Sequence, residues 1–297
     1  MTSSISVVVP TRDRPELLDG CLTALRASIR DGDEIVVADS ASTDLRVREV
    51  AEAQGARYVR CDLPGASRAR NAGWRACRRE IVAFIDDDVR VDAGWAAAIV
   101  AAFADPGVTF VTGKIGEPDG STGPRVAQLE GDEPRRLDAD TAGVIGHSAN
   151  LAVRRRALEA IGGFDESLGA GARFLAAEDL DLFDRLFAAG YIGRYEPSAS
   201  AVHESWRRLR EFVRLQGAYG YGAGARVAKL IRRDRSRGMH AARAAFVTSG
   251  FATLGRALRD RRRTAIAARS LRIVTTTAGF ARGMVMPVRN GHFGRGI

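Results

Sequence analysis

Ile81-Val82-Ala83-Phe84-Ile85-Asp86-Asp87-Asp88 places three adjacent carboxylates directly behind an apolar run that is typical of a buried strand. At a separation of about 5 Å and an effective dielectric constant of about 20, two like charges repel by roughly 3 kcal/mol. A divalent cation changes this repulsion into attraction, because Mg²⁺ and Mn²⁺ bind carboxylate and phosphate oxygens. A solvated acidic turn is the ordinary alternative, and the position of the acids relative to the predicted strands decides between the two.

Short apolar segments alternate with amphipathic segments over the first 85 residues of the chain. The pattern predicts strands over residues 5–9, 34–38, 56–60 and 81–85, and helices from Asp13 to about Ile29, from Thr43 to Gln54 and from Ala66 to Cys77. This alternation is typical of an α/β fold, in which helices cover both faces of a mostly parallel sheet.

Polar residues follow three of these predicted strands. Pro10-Thr11-Arg12-Asp13 follows the first strand, Asp39-Ser40-Ala41-Ser42 follows the second, and Asp86-Asp87-Asp88 follows the fourth. In open α/β sheets, ligands bind beyond the carboxyl ends of the strands, where the loops converge. We therefore expect these three segments to line one crevice.

Further elements follow beyond Trp95. The sequence predicts a helix after Trp95, a strand near residues 108–112, a loop-rich stretch over 113–140 that suits an acceptor-binding insertion, an extended segment over 144–153, a short helix over 154–161, a helix over 176–189 and one or two short strands over 191–202 that end at His203. After Trp206 the composition shifts to Arg, Ala and Gly in helical spacing, which indicates an appended helical region.

The net charge of +9 is divided unevenly along the 297 residues. Residues 207–297 contain 20 Arg and one Lys against three acids, a net charge of +18, whereas residues 1–206 contain 24 basic and 33 acidic residues, a net charge of −9. Such asymmetry indicates two regions with different roles. We predict an α/β domain over residues 1–206 and a basic helical region over residues 207–297.

Cysteine usage and hydropathy favour a cytoplasmic protein. Cys21, Cys61 and Cys77 are scattered without metal-ligand spacing, and their odd number argues against a disulfide framework. The first residues lack the basic flank and the apolar length of a signal peptide, and no apolar run reaches the roughly 20 residues that cross a bilayer. Peripheral contact with the inner face of a membrane stays open as a second expectation.

Six short motifs occur in a fixed order between residues 5 and 206. They are Val7-Val8-Val9-Pro10-Thr11-Arg12-Asp13-Arg14-Pro15, Val36-Val37-Ala38-Asp39-Ser40-Ala41-Ser42-Thr43-Asp44, Ala69-Arg70-Asn71-Ala72-Gly73, Phe84-Ile85-Asp86-Asp87-Asp88, Gly162-Gly163-Phe164-Asp165-Glu166 and Glu178-Asp179-Leu180-Asp181-Leu182. In order and spacing these motifs resemble those of the GT-A-fold family 2 glycosyltransferases. The resemblance implies a Rossmann-like, mostly parallel sheet flanked by helices, and transfer of a sugar from a nucleoside-diphosphate donor to an acceptor hydroxyl.

The acidic motif of the fourth strand matches the Asp-x-Asp motif of that family. The resemblance implies that Asp86 and Asp88 reach the metal and the sugar nucleotide, with Asp88 as the direct ligand, while Asp87 shapes the turn. His203 matches a histidine that completes the metal shell in part of the family, although a lone histidine is more often a structural hydrogen-bonding group. An Asp-Asp-His shell with diphosphate oxygens suits Mn²⁺ or Mg²⁺.

The same resemblance implies a nucleotide site at the first two strand ends. Asp39 matches the acid that holds the nucleoside, and the loop that contains Pro10, Thr11, Arg12 and Arg14 matches the segment that lines the base. The competing interpretation of Asp39 is a turn aspartate, because the neighbouring serines form such a turn without any ligand.

Two arginines of the third predicted helix are candidates for binding the diphosphate. Arg68 and Arg70 are two residues apart, so they point in different directions and we expect only one to face the crevice. A guanidinium group suits a diphosphate, because it presents several donors in a fixed plane. A solvated arginine is the alternative at either position.

The candidate general base lies at the start of the helix predicted over residues 176–189. The resemblance implies that Asp179, with Glu178 beside it, removes the proton from the acceptor hydroxyl, and that a single displacement inverts the anomeric centre. Ordinary acids of a first helical turn are the alternative, since the helix dipole stabilises negative charge there. Asp181 lies roughly opposite Asp179 around the helix and is the poorer candidate.

The chain departs from the polymer-forming members of this family. Those enzymes contain a Gln-x-x-Arg-Trp motif, whereas Glu204-Ser205-Trp206-Arg207-Arg208 places its tryptophan in another setting. We therefore expect a non-processive enzyme that adds one sugar or a few. Uridine diphosphate is the favoured carrier on family frequency alone, and the acceptor is a glycan, a lipid-linked molecule or a small molecule.

The basic region and the acidic motif allow other interpretations. Basic amphipathic segments beyond residue 230 suit an anionic membrane surface, whereas a solvated cover or a homodimer contact explains them equally well. A nucleic-acid-binding protein fits the basic composition but not the acids at three strand ends, so we expect no nucleic-acid partner. A sugar nucleotidyltransferase is the nearest enzymatic rival, but Pro10-Thr11-Arg12-Asp13-Arg14 lacks the glycine-rich loop of those enzymes.

Overall fold

The computed structural model describes residues 4–118, 129, 131–141, 145–204 and 209–294. The chain forms two compact units. The sheet unit comprises residues 1–164 and 182–205, and the helical unit comprises residues 165–181 and 206–297. The predicted boundary at residues 206 and 207, like residues 119–128 and 130 of the predicted insertion over 113–140, lies outside the described residues. The assignment of residues 165–181 to the helical unit was not indicated by the sequence.

A single sheet organises the sheet unit, and nine strands pair in it among the described residues. The strands are β1 (Ile5–Thr11), β2 (Glu34–Ser40), β3 (Arg57–Cys61), β4 (Ile81–Ile85), β5 (Val89–Val91), β6 (Val108–Gly116), β7 (Arg135–Leu137), β8 (Asn150–Arg154) and β9 (Ile192–His203). Their order is β3-β2-β1-β4-β8-β6-β9-β5, and β7 pairs with β9. The first four strands of this order are parallel, and β6 is parallel to β9, whereas β8 and β5 are antiparallel to their neighbours. The predicted α/β class is confirmed.

The helices connecting these strands follow the predicted alternation, with two late starts. They are α1 (Pro15–Ser28), α2 (Arg46–Ala53), α3 (Ala66–Ala76), α4 (Trp95–Ala102), α5 (Arg155–Ile161) and α6 (Glu178–Ala188). Helix α2 begins at Arg46 rather than at Thr43, because the Asp13 carboxylate accepts hydrogen bonds from the backbone N–H groups of Thr43 and Asp44 and keeps them in a turn. Helix α6 begins at Glu178 rather than at Ala176, since Ala177 has a φ of 71°.

Every residue of β1 is buried, because its side chains alternate between the two faces of the sheet and both faces are covered. Val7 and Val9 face one core cluster, which also contains Leu18 and Leu22 of α1, while Val8 faces a second cluster on the opposite face of the sheet. A strand covered on both faces has no polar side, as expected for a parallel sheet between helix layers. On the second face α3 lies so close to β1 that a Cβ atom at Gly73 would collide with Val8.

Buried Asn150 fixes the mixed half of the sheet. Its Nδ2 donates to the carbonyl oxygens of Lys114 and Ala199 at 3.0 and 2.8 Å, and its Oδ1 accepts from Trp95 Nε1 at 2.9 Å. The bonds join β8 to β6, β9 and α4. The Asn150 amide is completely buried, so losing any of these bonds would leave one of its polar atoms unsatisfied. The segment 191–202, predicted as one or two short strands that end at His203, is almost entirely part of the single strand β9, Ile192–His203.

Helices dominate the helical unit, as the composition beyond Trp206 predicted. They are α7 (Leu209–Arg233), α8 (Arg235–Ala242), a π-helical turn segment (Arg243–Ala252), α9 (Thr253–Arg259) and α10 (Arg263–Val285), followed by the short strands β10 (Val288–Arg289) and β11 (His292–Phe293). Glycines let α7 and α10 touch through their backbones, because Cβ atoms at Gly224 and Gly279 would collide with the carbonyl oxygens of Thr276 and Tyr221. None of the helices within the described ranges combines the length and apolarity that crossing a bilayer requires.

Candidate active site

Asp87, the central acid of the motif after β4, is completely buried. Its carboxylate accepts a hydrogen bond from Thr11 Oγ1 at 2.7 Å and pairs with Arg14 Nη2 at 2.8 Å. Burial is the largest of several effects that together raise the pKa of Asp87 to about 7; Asp88 and Asp86 act in the same direction, and Arg14 and Thr11 oppose it. Thr11 and Arg14 therefore hold the acidic turn in place, and their predicted place in the loop that lines the base stays a prediction.

Asp88 and His203 are brought together by strand pairing. Val89 of β5 lies opposite His203 of β9 in the antiparallel register, and the backbone N–H of Glu204 donates to the Asp88 carbonyl oxygen at 2.8 Å. Both side chains are buried, and His203 Nε2 lies 3.5 Å from Asp88 Oδ1. The sequence missed β5, because three residues are too few to show alternation.

Asp86 lies beside Arg70, the arginine of α3 that is buried. Arg70 Nη2 lies 2.7 Å from Asp86 Oδ1, and the guanidinium lies 5.5 Å from the centre of the Phe164 ring. Asn71 fixes Phe164, since its Oδ1 accepts from the Phe164 N–H and its Nδ2 donates to the Phe164 carbonyl oxygen, both at 2.9 Å. Arg68 is partly exposed and donates to the Pro64 carbonyl oxygen at 3.4 Å.

Asp39 is buried at the end of β2 and accepts three hydrogen bonds. Its Oδ1 accepts from the Ser42 N–H at 2.8 Å, while its Oδ2 accepts from the Tyr58 hydroxyl at 2.5 Å and from Arg60 Nη1 at 2.9 Å. Tyr58 and Arg60 are two residues apart on β3, so they lie on one face of that strand. Neither Tyr58 nor Arg60 was predicted from the sequence, although polar side chains in a strand next to Asp39 were a usable signal.

The loops after β1 and β2 are tied together by Asp13. The Asp13 N–H donates to Ser42 Oγ at 2.9 Å, and the Asp13 carboxylate accepts from Thr43, which lowers the pKa of Asp13 together with the larger effect of the Asp44 N–H. Pro10 is buried within β1, whereas Arg12 is exposed, with its Nε 3.6 Å from the Asp13 carboxylate. Arg12 therefore faces solvent on the outer side of this loop.

The candidate base belongs to the helical unit. Glu178 and Asp179 occupy the first turn of α6 and are partly exposed, and Asp179 Oδ1 accepts from the Leu180 N–H at 2.8 Å. Asp181 is buried and lies 2.5 Å from Lys229 Nζ. An acid engaged in this way is less available to an acceptor than Asp179. The role of Asp179 stays a prediction.

Asp86, Asp88 and His203 are the predicted ligands of a divalent cation. Within the described residues, no three His, Cys, Asp or Glu side chains form a ready-made metal cluster. Two ligands held about 2.1 Å from one octahedral cation lie about 3 Å apart. The 3.5 Å between Asp88 Oδ1 and His203 Nε2 fits two protein ligands, with the remaining positions left for substrate oxygens and water. Asp86 Oδ1 contacts Arg70 instead, so the predicted three-residue shell stays a prediction.

The sequence also matches a known protein family. The sequence model of glycosyl transferase family 2 matches residues 6–162. The chain belongs to glycosyl transferase family 2. A family 2 relative, the pre-mycofactocin glycosyltransferase of Mycobacterium tuberculosis strain H37Rv, is 30% identical over 244 residues, which cover 74% of this chain and 46% of the relative. The succinoglycan biosynthesis protein ExoM of Rhizobium meliloti is 30% identical over 216 residues, or 68% of this chain and 67% of that protein.

Solved structures confirm the GT-A fold of this family 2 chain. The mannosyltransferase PcManGT from Pyrobaculum calidifontis, in complex with GDP-Man and Mn²⁺, has a TM-score of 0.62 and 22% identity, with 94% of this chain and 85% of that one covered. Residues 1–349 of S. aureus TarS, in complex with UDP, have a TM-score of 0.53 and 15% identity, with 98% and 95% covered. This chain spans about half the length of the pre-mycofactocin glycosyltransferase, so that likeness concerns only part of that protein.

The Tyr58 to Asp39 hydrogen bond predicts a pH-dependent stability. Burial raises the pKa of Tyr58 above its ordinary value of 10.0, and the bond to Asp39 raises it further. The neutral hydroxyl therefore stabilises the native state fully below pH 10, and this contribution is lost as the pH rises through the higher folded-state pKa. We expect Tyr58→Phe to cost about 1–2 kcal/mol at pH 8, and urea unfolding should show a smaller difference from wild type at pH 11.

The matched control is the same substitution in an Asp39→Asn background, where the acceptor is no longer charged and the loss should be smaller. An equal destabilisation by Tyr58→Phe at pH 8 and pH 11 would show that the hydroxyl does not make this bond in solution.

Proposed function

We propose that the chain is a metal-dependent, inverting, non-processive glycosyltransferase that moves one sugar from a nucleoside-diphosphate donor to an acceptor hydroxyl. The observation that carries this proposal is the gathering of Asp39, Asp86 and Asp88 at the carboxyl ends of the family 2 sheet, with Arg70 and His203 beside two of these acids. We propose UDP as the carrier, and a glycan, a lipid-linked molecule or a small molecule as the acceptor.

In this proposal the donor is held by its nucleoside and by its diphosphate. Asp39 binds the nucleoside, and Tyr58 and Arg60 orient its carboxylate through the hydrogen bonds to Oδ2. Arg70 binds the diphosphate, since it lies buried beside Asp86 and a guanidinium presents several N–H donors in a plane that matches phosphate oxygens. The complexes of PcManGT with GDP-Man and of TarS with UDP support a nucleotide ligand for this fold without deciding the base.

The divalent cation is assigned to Asp88 and His203. Their separation, their burial and their N/O donor set support Mn²⁺ or Mg²⁺, and the Mn²⁺ of the PcManGT complex is consistent with this choice. When bound, such a cation neutralises charge that develops on the departing nucleoside diphosphate. Asp88 and His203 would hold it, while Thr11 and Arg14 keep the acidic turn from reorienting.

Asp179 is proposed as the general base. Its carboxylate accepts the proton of the acceptor hydroxyl, the hydroxyl oxygen forms a bond to the anomeric carbon, and the bond from that carbon to the diphosphate oxygen breaks. Because attack and departure occur on opposite faces of the sugar, the anomeric centre inverts. A base must be ionised at the working pH, and its place in the first turn of α6 stabilises the carboxylate form.

Nucleotide binding should depend on the cation through Asp88 and His203. A ligand that binds only the native state raises its apparent stability, so a nucleotide at about 100 times its Kd should raise Tm by about 5 °C. We expect UDP with Mn²⁺ to give the largest shift in a panel of UDP, GDP and dTDP with and without Mn²⁺. Asp88→Asn and His203→Gln should remove the Mn²⁺-dependent part of the shift.

Asp132→Asn is the matched control, since this exposed acid pairs only with Lys114 at the surface among its described contacts and should leave the shifts unchanged. Shifts that are equal with Mn²⁺ and with EDTA would contradict the metal assignment.

Asp179→Asn should abolish turnover without affecting donor binding. General-base catalysis contributes about 10²–10⁴-fold, and the release of nucleoside diphosphate from UDP-glucose and GDP-mannose should fall by a factor in that range. The thermal shift with nucleotide should stay as in the wild type. Asp184→Asn, on the same helix, is the control and should retain its rate. Near-normal turnover by a folded Asp179→Asn variant would overturn the assignment.

We further propose that the helical unit contacts an anionic membrane surface. Val247, Phe251 and Leu258 are at least half exposed and lie four and seven residues apart on successive helical segments. Exposed arginines surround them, and Asp260 is the only acid in residues 235–263. A dimer through this surface would bring like charges together, whereas anionic headgroups complement them and the apolar side chains enter the acyl boundary.

Vesicle flotation tests this surface. We expect binding to vesicles that contain phosphatidylglycerol at low salt, weaker binding at high salt because charges are screened, and little binding to pure phosphatidylcholine. Val247→Ser with Phe251→Ser should reduce binding at least tenfold. Leu63→Ser, an exposed leucine of the sheet unit, is the control. If anionic vesicles fail to bind the protein at low salt, the surface has another role.

A further inference from the structure

Lys229 of α7 is a buried cation between two buried carboxylates of the helical unit. Its Nζ lies 2.6 Å from Asp165 Oδ2 and 2.5 Å from Asp181 Oδ1. All three side chains are almost inaccessible to solvent, at 3% exposure or less. Asp165 comes from the Gly-Gly-Phe-Asp-Glu motif, and Asp181 comes from the first turn of α6. One ammonium group therefore joins two segments that are distant in sequence.

The C-terminal strand β11 closes this ion cluster. The Phe293 N–H donates to Asp165 Oδ2 at 2.8 Å, and the Phe293 ring lies 4.9 Å from Lys229 Nζ. The same ring packs on Phe174, with the ring centres 4.8 Å apart. On the other oxygen, the Ser167 N–H donates to Asp165 Oδ1 at 2.9 Å. The Asp165 carboxylate therefore accepts from Lys229, Phe293 and Ser167, and the cation has an aromatic face as well as two carboxylates around it.

The segment that leads into α6 is strained and is supported by the same face of α7. Leu175 and Ala177 have φ values of 48° and 71°, in the left-handed region that side-chain-bearing residues rarely adopt. A Cβ atom at Gly222 would collide with the carbonyl oxygen of Ala176, so α7 lies directly against this segment. Gly222 and Lys229 are seven residues apart and share one face of α7. Strain of this kind persists only where the surroundings impose it, and it clusters at functional sites.

A lysine suits this position better than an arginine. The chain contains 43 Arg and only two Lys, so nearly every other cation is a guanidinium. A guanidinium is planar and large, whereas an ammonium is compact and donates in three directions to two carboxylates beside an aromatic ring. The residue type thus fits a buried position in contact with Asp165, Asp181 and the Phe293 ring.

We propose that Lys229 is a positioning residue for Asp179. It fixes Asp181 and thereby the first turn of α6, on which Asp179 is presented two residues earlier. The role of Asp179 rests on the proposed function, but the anchoring of residues 174–181 does not. Asp181 pairs with Lys229 and orients the turn, whereas Asp179 acts on the acceptor. The two acids of this turn therefore have different roles.

The experiment compares Lys229→Met with Lys114→Met in the full chain. Lys114 is the other lysine, and it pairs with Asp132 at the surface. Amide hydrogen exchange should accelerate at least tenfold in residues 174–181 of Lys229→Met and stay unchanged in Lys114→Met. For UDP-glucose and GDP-mannose with Mn²⁺, kcat of nucleoside-diphosphate release should fall at least tenfold in Lys229→Met, with KM within twofold of wild type.

A second variant covers the case in which Lys229→Met does not fold, since it leaves two buried carboxylates without a cation. Asp181→Leu keeps the Lys229 and Asp165 pair, so its net charge is balanced, yet it detaches the first turn of α6. It should show the same faster exchange and the same loss in kcat, and Lys229→Arg should recover part of both.

The outcomes separate the inference from the function beneath it. Unchanged exchange in residues 174–181 of the folded variants overturns the positioning role, and so does faster exchange with an unchanged kcat. If the wild type releases no nucleoside diphosphate from either donor, the proposed function fails, and the exchange result alone then decides whether Lys229 anchors this segment.

Discussion

Mutual repulsion of the carboxylates after β4 is the constraint on which the sheet unit depends. Three consecutive aspartates cannot be held at a buried sheet edge unless cations and donors face each of them. The chain supplies a different partner to each acid: Arg70 to Asp86, Thr11 and Arg14 to Asp87, and Arg14 and His203 to Asp88. These partners come from the loop after β1, from α3 and from β9, so the charge of one tripeptide dictates what several distant segments contain.

The helical unit meets the same constraint in a different way. Asp165 and Asp181 are both buried, and one ammonium group contacts the two carboxylates. Lys229 directs its three donors at these two carboxylates and at the face of the Phe293 ring. The sheet unit thus meets the constraint with arginines from several segments, whereas the helical unit meets it with one lysine.

Local pattern was enough to predict the parallel half of the sheet and the acids at its edge. Strands β1, β2 and β4 are apolar runs followed directly by polar residues, and each lies within two residues of its predicted limits. The partners of these acids were harder to predict, because Tyr58 reaches Asp39 only through the pairing of β2 with β3. Strand β5 was missed since three residues carry no periodicity, and the late start of α6 reflects a left-handed Ala177 that no propensity indicates.

The charge distribution predicted a division of the chain at residue 206. That prediction reflects composition alone, whereas packing also assigns an earlier segment to the helical unit. The segment 165–181 is acidic and precedes the basic region by many residues, yet it belongs to the same compact unit as α7 and α10. Its packing depends on a glycine face and a lysine of α7 and on the N–H of Phe293 near the end of the described chain. The family match ends at residue 162, so the groups that fix the first turn of α6 all lie beyond it. The basic C-terminal region and the acidic segment that contains Asp179 therefore form one compact unit.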